Sequence, residues 1–335
     1  MTTIKYFFAS LTRISNLTEI SFSVEALSRE EWETGDYVVG EVHTIPSDPS
    51  GIELCSGRMV EVVEGDLVVG AFGNRYATLE SVGEWQEIGD DLQMKALTGA
   101  GLFGKITSGT TGLPSFTYKG HVSIDGAKVA MRDFVPSPPE RSFELPTVLL
   151  VGTSMSAGKT TAAKAIVRLL EQEGLRVVGA KLAGAGRYRD VLEMEDAGAE
   201  CIFDFVDAGL PSTAVPEEEY RPAVRDLLAC IADADADVLV AEVGASPLEP
   251  YNGGVAIEEL GPNVRCTVLS ASDPYAVTGM IMTFGDRPNL VTGLATSTQA
   301  GIELVEKLSG IKALNVLDRD ALPDLRDTLK DALDL

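Results

Sequence analysis

The sequence predicts an α/β protein in two parts. A mostly parallel sheet covered by helices is preceded by a separate β-rich domain, barrel- or sandwich-like. Three observations carry this. After residue 146, continuous apolar runs alternate with helical stretches, as in parallel sheets covered on both faces. Before residue 135, short β-branched runs alternate with glycine turns instead. Between the two patterns lies VPSPPERSFELP, Val135 to Pro146, whose four prolines read as a linker. The expected division is 1–134, 135–146 and 147–335, and 335 residues suffice for two domains at roughly 100–200 residues each.

In the first part, GDYVVG (Gly35–Gly40) recurs as GDLVVG (Gly65–Gly70). Each is a Gly-Asp turn entering a β-branched run, which suggests a pseudo-repeat in a small barrel or sandwich. RYATLESV, FTYKGHVSI and AKVAMRDFV are further strand candidates, and DDLQMKALTGAG reads as one interrupting helix. In the second part, TVLLVG, RVVGAKLAG, DVLVAEVG, VRCTVLSAS, NLVTGLATS and ALNVLD read as strands. TTAAKAIVRLLEQEGL, stopped by Gly174, PAVRDLLACIADA and AGIELVEKLSG read as helices. Leu322, Leu325, Leu329 and Leu333 give the C-terminal segment one apolar face. That face is expected to pack on its own domain, with a homodimer contact as the alternative.

Composition excludes several classes. Formal net charge is −24, with 10 basic and 20 acidic residues up to residue 140 and 17 and 31 after it. Such an evenly acidic chain repels phosphodiester backbones, so nucleic acid is not an expected partner. Cys55, Cys201, Cys230 and Cys266 are scattered, without C-x-x-C pairs or a neighbouring histidine, which fits free thiols in a reducing compartment. The apolar run in MTTIKYFFASLTRISN is too short for a signal peptide. No run of 18 apolar residues is present, so no membrane span is expected. The expected location is cytoplasmic.

The chemistry concentrates in GTSMSAGKTT: Gly152, Thr153, Ser154, Met155, Ser156, Ala157, Gly158, Lys159, Thr160 and Thr161. It lies between an apolar strand and a helix, the context that a phosphate-binding loop requires. Small residues let backbone N–H groups approach phosphates, and the helix N-terminus adds donors and a favourable dipole. Lys159 is expected to reach the β and γ phosphates, and the Thr160 hydroxyl to ligate Mg²⁺. Five residues separate Gly152 from Gly158, one more than in the usual G-x-x-x-x-G-K-[ST] motif. In DVLVAEVGASPLEPYNGG an apolar strand ends in Glu242, placed to hold the same metal. In GAKLAGAGRYRD, Lys181 lies near a strand end, suited to an anionic substrate or a moving phosphoryl group. Asp190 follows as a further candidate metal ligand. Arg187 and Arg189 read as solvated.

His43 and His121 are the only histidines, and neither has a Ser or Cys partner in a nucleophile context, which argues against triad hydrolysis. Asp273, Thr296, Ser297 and Thr298 lie where a base-recognition loop would run. None forms the N-K-x-D pattern of guanine-specific proteins, so ATP is expected over GTP.

These motifs resemble the dethiobiotin synthetase family, whose loop reads G-T-D-T-G-V-G-K-T with the same early Gly-Thr. That family's second strand ends in Lys-Pro followed by small residues, where this chain has AKLAG. Its acidic strand reads V-E-G-A-G-G-L-x-x-P, where this chain has AEVGASPLEP. The resemblance covers roughly Thr147 to Val268 and implies a P-loop NTPase-like fold with ATP and Mg²⁺. Ser154 stands where the family has Asp, Met155–Ser156 replace Thr-Gly, and Leu182 replaces the proline. Position 154 also lacks the signature lysine of ParA/MinD-like ATPases. Biotin synthesis itself is therefore not expected. The two-part layout, GAGRYRD and FDFVDAGLPST are similar to the DUF1611 family, some of whose members are linked to N-acylation of D-glutamate. That family's N-terminal domain is usually Rossmann-like, which the strand-rich reading here does not match. The expected function is Mg²⁺- and ATP-dependent phosphoryl transfer to, or ligation of, a small carboxylate or amine. Lys159 and Lys181 would be catalytic. The alternatives are a nucleotide-dependent switch or metallochaperone with a protein partner, and an acyltransferase of the DUF1611 type whose loop holds coenzyme A.

Overall fold

The computed structural model describes residues 5–46, 51–285 and 287–334; the opening of the N-terminal apolar run lies outside them. Two compact units emerge, and they are not divided by a single cut. One comprises Met1–Ser137, Ala185–Arg189 and Phe205–Pro216, the other Pro138–Gly184, Asp190–Asp204 and Glu217–Leu335. The continuous division expected at the proline-rich segment thus leaves out two loops, 185–189 and 205–216, which cluster with the first unit.

The first unit is built on a closed ring of five strands: β1 (Tyr37–Thr44), β2 (Leu67–Phe72), β3 (Gln93–Thr98), β4 (Leu102–Gly109) and β5 (Ser115–Ile124). Antiparallel pairings run β2–β1–β5–β3–β4, and a parallel pairing of β4 with β2 closes the ring. Alternate residues face inward. Val38, Val42, Val68, Phe72, Met94, Ala96, Phe103 and Phe116 form the core.

The Gly-Asp repeat is a structural repeat. Gly35 and Gly65 both adopt positive φ, at 83° and 88°. Asp36 and Asp66 each accept the backbone N–H three residues earlier, both at 2.8 Å. The two turns exchange equivalent bonds across the ring: Gly35 N–H to Phe72 O and Gly65 N–H to Val42 O, Phe72 N–H to Asp36 O and Val42 N–H to Asp66 O. The repeated strands themselves pair in antiparallel register, Tyr37 opposite Ala71 and Glu41 opposite Leu67.

Three readings of this part are corrected. DDLQMKALTGAG is the strand β3, because Met94 and Ala96 alternate into the barrel and ring closure overrides helix propensity. RYATLESV splits into Arg75–Tyr76 and Ser81–Glu84 around a turn. In AKVAMRDFV only Ala127–Lys128 is strand, and Met131–Phe134 forms a 3₁₀ turn. His121 is fully buried, 2.5 Å from Tyr118 Oη and 3.2 Å from Asp36 Oδ2, a structural role.

In the second unit six strands form one parallel sheet: β6 (Thr147–Gly152), β7 (Val177–Ala183), β8 (Cys201–Asp204), β9 (Val238–Val243), β10 (Val264–Ser270) and β11 (Leu290–Thr292). Their order is β8-β7-β9-β6-β10-β11. The helices are α1 (Lys159–Gln172), α2 (Arg189–Glu195), α3 (Glu217–Asp233), α4 (Gly253–Leu260), α5 (Pro274–Phe284), α6 (Gln299–Ser309) and α7 (Leu322–Leu333). Ile166, Val167 and Leu170 of α1 and Leu325 and Leu329 of α7 pack with Val148, Leu150 and Val268 in one core. The C-terminal helix therefore packs on its own unit. ALNVLD forms no strand, only a bridge from Ala313 to Val291, since Ala313, Leu314 and Val316 are buried along an irregular path. The short elements α2, β8, α4 and α5 were not foreseen.

The barrel seam gives a test. A Cβ on Gly70 would fall 2.2 Å from Gly101 O and 2.7 Å from the Phe103 ring. Gly70→Ala is expected to destabilise the first unit by about 2 kcal/mol or more, as overpacking does. Chemical denaturation followed by Trp32 and Trp85 fluorescence checks it; an unchanged midpoint would contradict the closed seam.

Candidate functional site

Because the sheet is parallel, the carboxyl ends of its strands share one edge, where ligands of open α/β sheets bind. The register aligns the chemistry along that edge. Glu242 of β9 lies beside Leu150 of β6 on one side and Lys181 of β7 on the other. Lys181 in turn lies beside Asp204 of β8. Lys181, Asp204 and Glu242 are all buried.

The chain leaves β6 at Gly152 and runs through the small-residue loop into α1. A Cβ at Gly152 would lie 2.7 Å from Lys159 Nζ, so the lysine needs glycine there. Gly158 has φ 107°, and its Cβ would lie 3.2 Å from Gly293 Cα. Ser156 is left-handed as well, at φ 58°. Thr153 ties the loop to the sheet: its N–H donates to Ser270 O at 3.1 Å, and its hydroxyl accepts the Ser272 N–H at 3.0 Å. Ser154 turns its hydroxyl to Met155 O at 3.1 Å. Met155 is half-buried, Ala157 buried, and Ser156 and Thr161 exposed. Among the described residues no group accepts the N–H of Ser154, Ser156, Ala157 or Gly158. Such a row of free amides at a helix N-terminus makes an anion-binding concavity.

Lys159 opens α1 and folds back over the loop. Its Nζ donates to Ser154 O at 2.9 Å and Ala245 O at 2.8 Å. Burial pushes its ammonium below the usual lysine value, with Glu242 opposing. The Thr160 hydroxyl donates to Glu242 Oε2 at 3.1 Å. Burial, reinforced by the charge of Asp190, raises the Glu242 carboxyl above the usual range despite Lys159 and Lys181. Lys181 Nζ is 2.5 Å from Asp190 Oδ2. Burial alone would depress Lys181, but the carboxylates of Asp190, Glu242 and Asp204 outweigh it and hold the ammonium above its ordinary value.

The five side chains singled out from the sequence thus form two linked pairs, Thr160–Glu242 and Lys181–Asp190, beside Lys159. Asp190, expected as a metal ligand, is engaged with Lys181. Thr160 and Glu242 offer two hard oxygen donors, the chemistry Mg²⁺ takes when phosphates and water supply the rest. Among the described residues no group of three or more His, Cys, Asp or Glu could hold a metal. Asp273 caps α5, accepting from Tyr275 N at 2.9 Å and Ala276 N at 3.1 Å. Thr296 and Ser297 donate to backbone carbonyls, and Thr298 caps α6. Asp204 was missed; its only signal is an acid ending the short run CIFD. The Ser154 and Ala245 carbonyls carry no signal in residue type. Parallel sheet, loop and helix together make this unit a P-loop NTPase-like α/β fold.

No family model matches the sequence, and neither does any curated protein. Among solved structures, a DUF1611 family protein from Anabaena variabilis is 18% identical, covering 59% of this chain and 60% of its own, at TM-score 0.37. Signal recognition particle receptor FtsY from Elizabethkingia anophelis, solved in complex with GDP, is 15% identical over 55% of this chain and 61% of its own, at TM-score 0.37. Hydrogenase maturation factor HypB from Archaeoglobus fulgidus is 14% identical over 57% and 91%, also at TM-score 0.37. This chain spans about three fifths of that signal recognition particle receptor.

The Lys181–Asp190 pair predicts its own perturbation. Asp190→Asn removes the partner at 2.5 Å and leaves burial as the largest influence on the lysine. The Lys181 pKa is expected to fall, read by an NMR titration of lysine ¹³Cε. A pKa that stays high would mean that Glu242 and Asp204 suffice.

Proposed function

We propose that the second unit binds a nucleoside triphosphate with Mg²⁺, and that the protein is an ATP-dependent enzyme. On this reading it transfers a phosphoryl group to, or ligates, a small carboxylate or amine. The observation that carries the reading is Lys159, buried and held by two carbonyls over a loop in which the N–H groups of Ser154, Ser156, Ala157 and Gly158 meet no acceptor among the described residues. A lysine ammonium and several amides converging on one concavity suit a polyphosphate.

The residues divide the work. Lys159 and the loop amides bind and orient phosphates. Thr160 and Glu242 would hold Mg²⁺, which neutralises phosphate charge when bound. Lys181 is suited to stabilise a moving phosphoryl group or orient an anionic substrate, and Asp190 keeps it charged inside the protein. In-line transfer asks chiefly for such positioning and charge neutralisation. No helix among the described residues is long and apolar enough to cross a membrane.

Thermal stability with ATP, GTP or acetyl-CoA, each with and without Mg²⁺, tests the reading. ATP with Mg²⁺ is expected to stabilise most, by about 2.7 kcal/mol at a hundredfold excess over Kd. Lys159→Ala should weaken binding at least about tenfold, or ~1.4 kcal/mol. Stabilisation by acetyl-CoA alone would favour acyl transfer, and no stabilisation by any of the three would end the nucleotide reading.

The pH dependence follows from Glu242. Metal binding needs its carboxylate, and burial raises its pKa. As pH falls, Glu242 takes up its proton earlier than an exposed glutamate would. Apparent Mg²⁺ affinity in the presence of ATP is therefore expected to decline with falling pH, starting above the ordinary carboxylate range. Isothermal titration across pH reads this. Glu242→Gln should flatten the profile, and an unaltered profile would remove Glu242 from the metal site.

A further inference from the structure

The two faces of the parallel sheet are not covered alike. Val148, Leu150, Cys266 and Val268 point to the face packed by α1 and α7. Leu149, Val151 and Leu269 point to the other face, as alternation requires, and there line a cavity of about 250 Å³. Ile257 of α4 and Ile281 and Phe284 of α5 wall it. Helix α5, PYAVTGMIMTF, is apolar almost throughout, yet only Val277 and Met280 of its 11 residues are buried. A helix of that composition is ordinarily covered.

Among the described residues one charged side chain lines this cavity, Arg287, which is exposed. One of its N–H groups donates to Ser309 O at 2.6 Å. Among the described residues it has no carboxylate partner, in a chain of net charge −24. A guanidinium fork matches a carboxylate in two parallel bonds. Size narrows the choice further. The volume exceeds that of an engineered cavity of about 150 Å³ that takes up benzene. It falls short of the roughly 300–1,000 Å³ of pockets for drug-sized ligands.

We propose that this cavity binds a small amphipathic carboxylate, its short acyl or aryl part against Leu149, Val151 and Ile281 and its head group on Arg287. The cavity lies on the sheet face opposite α1, its lining running along the strands from Val264 and Pro288 to Val151 and Leu269. The inference does not depend on the nucleotide reading.

Titration of the full chain with sodium octanoate, and with octanol as the uncharged comparator, tests it by calorimetry and methyl NMR. Saturable one-to-one octanoate binding is expected. Arg287→Gln should weaken octanoate at least about tenfold, a loss on the scale of one charge-assisted contact, and leave octanol unaffected. Ile281→Trp should fill the cavity and abolish both while the far-UV circular dichroism is retained. Absence of saturable octanoate binding to the wild type overturns the proposal. So does octanoate binding that neither substitution changes. Sedimentation velocity adds a third arm: a dimer dissociated by Ile281→Trp, without octanoate binding, would make a second copy of the chain the occupant.

Discussion

Charge buried at the ends of parallel strands is the constraint on which the candidate site depends. Lys181, Asp204 and Glu242 lie side by side across three strands, and each is almost removed from water. A buried ion without a partner costs several kcal/mol, so opposite charges must arrive from elsewhere in the chain. Asp190 arrives from the start of α2, nine residues beyond Lys181. Lys159 arrives from the start of α1. The glycines follow from the lysines. At Gly152 a side chain would strike Lys159 Nζ, and at Gly184, with φ 132°, it would lie 3.1 Å from Lys181 Cε. The loop composition is thus set by where two ammonium groups must run.

The first unit obeys a different constraint, closure of a small ring. The repeated Gly-Asp turns supply two equivalent corners, and the bonds they exchange fix the pairing of β1 with β2. Gly40 and Gly70, which end the two repeats, both face the barrel interior, where Met94, Phe116 and Phe103 leave no room for a Cβ. A repeat that reads in sequence as turn chemistry is therefore also a packing device. Asp36 shows the same double use: it closes its own turn and also accepts from His121 and Lys128.

How much of this was legible follows from the range of the forces. Five of the six strands of the second unit were legible because they are buried on both faces, which leaves continuous apolar runs. The loop was legible because Gly, Lys and Thr are each required by local geometry. The strand β3 was not, since QMKALT carries helix formers, and only the ring's long-range pairing makes it extended. Asp204 escaped for a similar reason: CIFD is too short for a periodic signal, and the register with Lys181 alone gives it meaning. The loops 185–189 and 205–216 read as connections of the α/β part, and their clustering with the first unit rests on tertiary contacts. One instance is the buried carboxylate of Glu53, which accepts from Tyr188 N at 2.8 Å and Arg189 N at 2.9 Å.

The same distinction separates binding from reaction within the loop. The concavity is made of backbone amides and Lys159, groups that do not depend on the side chains of Ser154, Met155 and Ser156. Ser154 turns its hydroxyl back onto the loop, and Ser156 meets the backbone conformation that a glycine would otherwise fill. On the proposed reading, selectivity for a reaction comes from the buried charges. There, Asp190 and Glu242 act on both Lys159 and Lys181, Glu249 on Lys159 and Asp204 on Lys181. A proton on Glu242 or an added cation would each lower the negative charge there. On the proposed reading both act on the one carboxylate that also holds the Thr160 hydroxyl, so protonation and metal binding would compete for the same group.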